Sequence, residues 1–128
     1  MIRFNLYETF ELGEIASFER AKKGVIYPRG STLIQISATK GQVLFLRERS
    51  EVDAMYVVVI PIAGVNHRYL NIVIEEAMEK FVSIYQNGLN IRADDIGKME
   101  VFLHEYDTQK AMVKIVEHIE EEVETCEK

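Results

Sequence analysis

The chain has 128 residues, of which 48% are apolar and 28% charged, a formal net charge of −6 and a single cysteine. That length suits one domain with a real core and is too short to hide a second. The balance excludes a disordered chain and a protein that coats nucleic acid by net charge, and the lone Cys126 excludes a disulfide framework or a zinc set.

In chain order, Met1-Ile2-Arg3-Phe4-Asn5 lacks the basic stretch and apolar run of a signal peptide, and no later run approaches membrane-spanning length, so a cytoplasmic chain without membrane contact is expected. Leu12-Gly13-Glu14-Ile15-Ala16 places apolar residues three and four apart and predicts one short helical turn. Positions 21 to 32 hold Gly24, Pro28 and Gly30 among basic and hydroxyl residues, the punctuation of an exposed loop.

Leu33-Ile34-Gln35-Ile36-Ser37 and Gln42-Val43-Leu44-Phe45-Leu46, separated by Ala38-Thr39-Lys40-Gly41, read as a hairpin whose glycine supplies the special backbone angle. Positions 54 to 60 include Val57, Val58 and Val59 in succession, which predicts a strand apolar on both faces and central in its sheet. After Pro61 and Gly64, Asn66 can cap an amphipathic helix. Its Leu70, Val73, Ile74, Ala77, Met78, Phe81 and Ile84 fall at helical spacing, with Glu75, Glu76, Glu79 and Lys80 opposite.

Gln86-Asn87-Gly88 reads as the end of that helix, Leu89-Asn90-Ile91 as a short extended piece, and Asp94-Asp95 as the cap of a turn before a last strand over 99–103. From Asp107 to Cys126 a second helix carries Met112, Ile115, Val116, Ile119, Val123 and Cys126 as a narrow apolar stripe. At ~1.5 Å per residue it reaches roughly 28 Å, and the stripe suits a partner helix as well as the chain's own domain. The elements add up to an α+β fold: a small, mostly antiparallel sheet packed by one amphipathic helix, followed by a C-terminal helix suited to helix–helix pairing.

Charge is unevenly placed. Between positions 20 and 49, Arg20, Lys22, Lys23, Arg29, Lys40, Arg47 and Arg49 face Glu48 alone, a net +6, whereas from Glu105 onward three lysines face eight acids, a net −5. Two surfaces with different partners would produce this pattern, and so would two solvated faces.

Catalytic constellations are not found. The stretch from Gly24 to Gly30 before Ser31-Thr32 has the wrong spacing for a P-loop and no lysine before the serine. His67, His104 and His118 are scattered without an i, i+4 pair and read as surface or helix-edge residues. No serine sits in a nucleophile elbow, and Glu124 and Glu127 disfavour a Cys126 thiolate. Asp94, Asp95 and Glu100 lack the lysine that would complete a metal-dependent nuclease pattern. Neither an enzyme nor a bound cofactor or metal is expected.

Four stretches taken in order resemble the target-recognition domain and following helix of type I restriction-modification specificity subunits. These are Leu12-Gly13-Glu14-Ile15-Ala16-Ser17-Phe18 with Lys22-Lys23-Gly24, then Pro28-Arg29-Gly30-Ser31-Thr32 through Ser37, then Tyr69-Leu70 and the helix through Phe81. The last is Gln86-Asn87-Gly88-Leu89-Asn90-Ile91 with Asp95-Ile96 through Val101, leading to a helix whose early glutamine corresponds to Gln109. The resemblance implies a recognition-type domain over 1–104 and a conserved-type helix over 105–128. It also implies a non-catalytic subunit that reads a double-stranded DNA half-site and docks the methyltransferase subunit of its system.

Base reading needs polar side chains at base edges and cations on phosphates. Arg20, Lys22, Lys23, Tyr27, Arg29, Gln35, Ser37, Thr39, Lys40 and Gln42 offer both kinds. Family members usually hold two recognition domains, whereas this chain has one, and the family's proline-rich entry to the helix is replaced by Leu103-His104-Glu105-Tyr106. A half-subunit must pair to read a bipartite site, which makes Met112, Ile115, Val116, Ile119 and Val123 the expected homodimer seam. The alternative is a protein-interaction or regulatory module of the same fold that does not bind DNA.

Overall fold

A computed structural model describes residues 7–127, with side chains through residue 120. Strand β1 (Glu8–Glu11) runs into a single helical turn, α1 (Leu12–Ile15), where the Glu11 backbone N–H donates to the Glu14 carboxylate at 3.1 Å. Strands β2 (Ala16–Arg20), β3 (Thr32–Gln35), β4 (Val43–Phe45) and β5 (Tyr56–Pro61) form one antiparallel sheet in the order β2-β5-β3-β4. Helix α2 (His67–Tyr85), a 3-10 helix over Ala93–Lys98, β6 (Glu100–Leu103) and helix α3 (Tyr106–Glu127) follow. The α+β class is as expected, with β5 interior to its sheet.

Both faces of β5 are covered because its valines alternate between two apolar clusters. Val57 and Val59 join Ile34 beneath Leu70, Val73, Ile74, Met78 and Phe81 of α2, and Val58 joins Leu33, Tyr27 and Ala21 on the other face. The registers Ile34↔Val57 and Leu33↔Val58 fix this sorting, since a one-residue slip would exchange the faces. The second face is roofed by the loops after β2 and β4 and not by a helix, and Tyr27 bridges to Ser50 across that roof.

Four details differ from the sequence reading. The last strand does not join the main sheet. It pairs with β1 through Phe10↔Val101 as a separate two-stranded sheet. The segment Ala16–Arg20, whose first residue is expected in the opening turn and whose remainder carries no predicted element, is a strand paired with β5. Asp94 and Asp95 lie within the first turn of the 3-10 helix, whose N-cap is Arg92, and Asp95 pairs with Lys98 at 3.2 Å. Helix α2 begins as expected, with Asn66 accepting from the Tyr69 N–H at 2.9 Å. It ends on an extended Gln86, and Gly88, at φ +65°, serves a separate turn closed by Asn87 and Asn90.

The 3-10 helix packs against α1 and β2 at a glycine contact. A Cβ on Gly97 would stand 2.5 Å from Cε1 and Cζ of Phe18. Gly97→Ala is therefore expected to destabilise the fold by about 1–3 kcal/mol, the cost of overpacking a fitted contact. Urea unfolding checks this, and an unchanged midpoint would mean that the Phe18 ring swings aside freely.

Candidate nucleic-acid interface

The strands place the sequence-selected residues at two ends of the main sheet. Arg20 ends β2 opposite Val57, and Gln35 ends β3 opposite Tyr56, so Arg20, Lys22, Lys23, Gln35, Ser37, Thr39, Lys40 and Gln42 share the end where β5 begins. They are spread from the β2 edge to the β4 edge, three strand spacings or roughly 14 Å. Arg29 precedes β3 and lies at the opposite end, beside the start of α2, where the Gly30 carbonyl meets Nδ1 of His67 at 3.1 Å. Lys40 lies by the other end of α2, because Gln86 donates to the Thr39 carbonyl at 2.8 Å. Folding thus divides the basic stretch.

Several of the selected side chains are engaged in building the loops. Tyr27 is buried, and its hydroxyl accepts from the Lys22 N–H at 2.9 Å while facing Glu19 at 3.4 Å. Thr39 is buried, with its hydroxyl on Gln42 Oε1 at 3.1 Å and under the Gly41 N–H at 2.9 Å. Gln42 Oε1 also accepts from the Lys40 N–H, and Gln35 donates to the carbonyls of Ser37 and Ala38. Arg20 donates to the Ala54 carbonyl at 2.8 Å, and Lys22 faces Glu19 at 3.6 Å. Lys23, Arg29 and Lys40 remain as exposed cations, and Ser37 is half-buried.

At the Arg29 end, three arginines from separate segments line one cleft of about 730 Å³. Arg29 comes from the loop before β3, Arg47 from the loop just after β4 and Arg68 from the first turn of α2. The Phe45 ring organises two of them, with Arg47 at 5.8 Å and Arg68 at 5.5 Å from its centroid. Such stacking holds guanidinium groups without neutralising them. Gly30 makes the junction possible. Its φ is +91°, and a Cβ there would lie 2.9 Å from His67 Nδ1.

Helix α3 forms the far wall of the cleft with Tyr106, Val113, Glu117 and Glu120. Arg68 donates to Asn71 and to Glu120, so α2 and α3 are joined across the cleft. The start of α3 is fixed by Gln109, only 1% exposed, which accepts from the Asn66 N–H at 2.8 Å and donates to the His104 carbonyl at 2.8 Å and the Gly64 carbonyl at 3.4 Å.

His104 corrects the surface reading of the histidines. It is buried, with Nδ1 2.6 Å from the Tyr69 hydroxyl, which also accepts from the His104 N–H. Burial pushes the Tyr69 phenol above its ordinary value of 10.0, against the lowering effect of the His104 backbone hydrogen bond, and the group stays protonated at neutral pH. His67 and His118 are exposed as read.

The apolar stripe of α3 divides. Met112 packs against the core, Val116 is half-buried, and Val113, outside the predicted stripe, is buried. Ile115 and Ile119 face outward at 51% and 54% exposure. The Val123 side chain lies outside the described residues.

Arg47 belonged to the basic stretch but was not selected, and Arg68 was not singled out. A lone arginine on the first helical turn carries no periodic or motif signal. Only the three-dimensional meeting with Phe45 identifies it. Among the described residues no group of three or more His, Cys, Asp or Glu could hold a metal ion, and no helix is long and apolar enough to cross a membrane.

No family model and no curated protein sequence matches the chain. Solved structures do. The type I restriction-modification system S subunit from M. genitalium superposes with a TM-score of 0.78 at 10% identity over 98% of this chain and 42% of that one. A chain from the structure describing complex assembly and conformational transition of the type I R-M system gives 0.77 at 11% identity, over 94% of this chain and 40% of that one. The HsdS subunit from Thermoanaerobacter tengcongensis gives 0.72 at 10% identity, over 93% and 38%. The chain therefore has the fold of type I restriction-modification specificity subunits and spans about two fifths of the length of those it matches.

Proposed function

We propose that the chain is a DNA-recognition half-subunit of a type I restriction-modification system. In this reading it is non-catalytic and cytoplasmic, reads a half-site in double-stranded DNA and docks a methyltransferase subunit. The observation that carries it is the meeting of Arg29, Arg47 and Arg68 in one cleft, contributed by three segments that are distant in sequence. Planar guanidinium groups suit phosphate oxygens, and a phosphate grip fixes the register in which neighbouring side chains meet base edges. Lys22, Lys23, Ser37 and Lys40 lie at the opposite end of the main sheet and are secondary to the cleft in this reading. Pairing uses the outward Ile115 and Ile119, with the recognition domain over 1–104 and the pairing helix over 105–128.

A second reading, a protein-interaction module of the same fold that leaves DNA alone, is favoured by one contact: Glu120 already occupies Arg68. Retention of a short mixed-sequence duplex across a salt series separates the two. The DNA reading expects binding that weakens with salt at a log–log slope of about −0.9 per neutralised phosphate, near −3 for three arginine contacts. Absence of retention at about 50 mM salt, where phosphate contacts are strong, rules the DNA reading out and leaves the interaction module.

A further inference from the structure

We propose that α3 carries a built-in competitor for the arginine cleft, with Glu117 and Glu120 occupying ground that phosphates would take, so that anion binding requires these carboxylates to be displaced. This rests on the DNA reading for its natural ligand, but the competition itself concerns any polyvalent phosphate.

The two glutamates are three residues apart on one helix, a spacing that puts both on the same face. That face is turned into the cleft that also contains the three arginines. The pairing is unequal. Arg68 is held by Glu120 and Asn71, and its side chain is 16% exposed, whereas that of Glu120 is 47% exposed. Among the described residues neither Arg29 nor Arg47 has an ion-pair partner; Arg47 rests on Phe45. Three cations therefore face two anions, and a site of this balance attracts a phosphate weakly while its internal pair is closed.

An ion pair with a half-exposed partner is readily displaced. A phosphate can accept two parallel hydrogen bonds from a guanidinium group, which a single Glu120 oxygen does not. The first phosphate would engage Arg29 and Arg47, and a second would take Arg68 from Glu120. The acidic character of α3 acquires a purpose on this account. It sets a threshold, so that weakly held or singly charged anions leave the cleft closed while the dense charge of a nucleic acid opens it.

The test compares E117Q/E120Q with E75Q/E79Q, which removes the same charge from the exposed face of α2, away from the cleft. Both pairs are tested on the full chain with a short mixed-sequence duplex and, separately, with inorganic pyrophosphate followed through the arginine Nε–H resonances. Competition expects E117Q/E120Q to bind either probe about tenfold more tightly than the parent, and E75Q/E79Q to change affinity by about twofold or less. Equal gains from the two pairs would reduce the effect to net charge and overturn the inference, as would unchanged pyrophosphate affinity in E117Q/E120Q. If pyrophosphate binding tightens as expected while no variant retains the duplex, the competitor stands and the DNA reading falls. If the duplex binds but E117Q/E120Q gains nothing with either probe, the competitor falls and the DNA reading stands.

Discussion

Replacing Gln109 by leucine is expected to lower the unfolding free energy by about 3 kcal/mol, a large loss for a single buried polar side chain. Gln109 serves Asn66, His104 and Gly64 at once, and is 1% exposed. Leucine fills similar space but offers no acceptor to the Asn66 N–H and no donor to the His104 carbonyl. Asn66 has no spare arrangement, because its own side chain is engaged in capping the Tyr69 N–H of α2. A buried group left unsatisfied costs about 1–3 kcal/mol, so two such groups with one weaker bond reach the stated loss.

In urea, with a slope of about 2 kcal/mol per molar for a domain of this size, the midpoint should fall by roughly 1.5 M. Lys110→Leu, one residue on and exposed, is the comparison and should change little. Equal midpoints for the two variants would mean that water reaches the Gln109 site and that the junction is not what seats α3. A consequence for function follows. If α3 loosens, the Arg68 and Glu120 pair across the cleft loosens with it, so in this variant anion affinity should rise as stability falls.

Legibility of the fold in the sequence tracks the range of the interaction. Helix α2 was readable because Leu70, Val73, Ile74, Met78 and Phe81 repeat at helical spacing and all five are buried. Strand β5 was readable because Val57, Val58 and Val59 demand cover on both faces, and they receive it from two separate clusters. The pairing of β1 with β6 was not readable. Both strands are four residues long, they lie at opposite ends of the chain, and the facing Phe10 and Val101 carry no register mark of their own.

The same holds for the candidate site. The basic stretch reads as one surface along the chain, but the sheet divides it. Two strands that run the same way, β2 and β3, must be joined by a loop that returns along the sheet, and that return carries Arg29 away from Arg20. His104 looked like a surface residue because the Tyr69 hydroxyl that makes its burial tolerable lies 35 positions away. Gln109 was named only through resemblance, and its physical role in joining three segments appears only when Asn66 and Gly64 are brought to it.

Dividing the cations makes a charge-reversal comparison informative about which end of the sheet meets DNA. Arg29→Glu with Arg47→Glu and Lys22→Glu with Lys23→Glu change the net charge equally, so any difference between them is positional. The cleft pair is expected to weaken duplex binding by roughly a hundredfold at about 50 mM salt and to flatten the log–log salt slope by about 1.8, the value of two lost phosphate contacts. The lysine pair should cost several-fold at most, because Lys22 is partly answered by Glu19 and neither lysine is held in a cleft.

Neither double variant should unfold the chain. Arg29 is exposed, and Arg47 contributes only its contact with Phe45. Should the lysine pair abolish binding while the cleft pair leaves it intact, the contact belongs to the sheet end where β5 begins, and the arginine cleft loses its place in DNA recognition. An equal loss from both, with equal flattening of the salt slope, would mean that the duplex meets both ends of the main sheet, because Lys22 and Lys23 follow β2 at the end where β5 begins and Arg29 lies at the other.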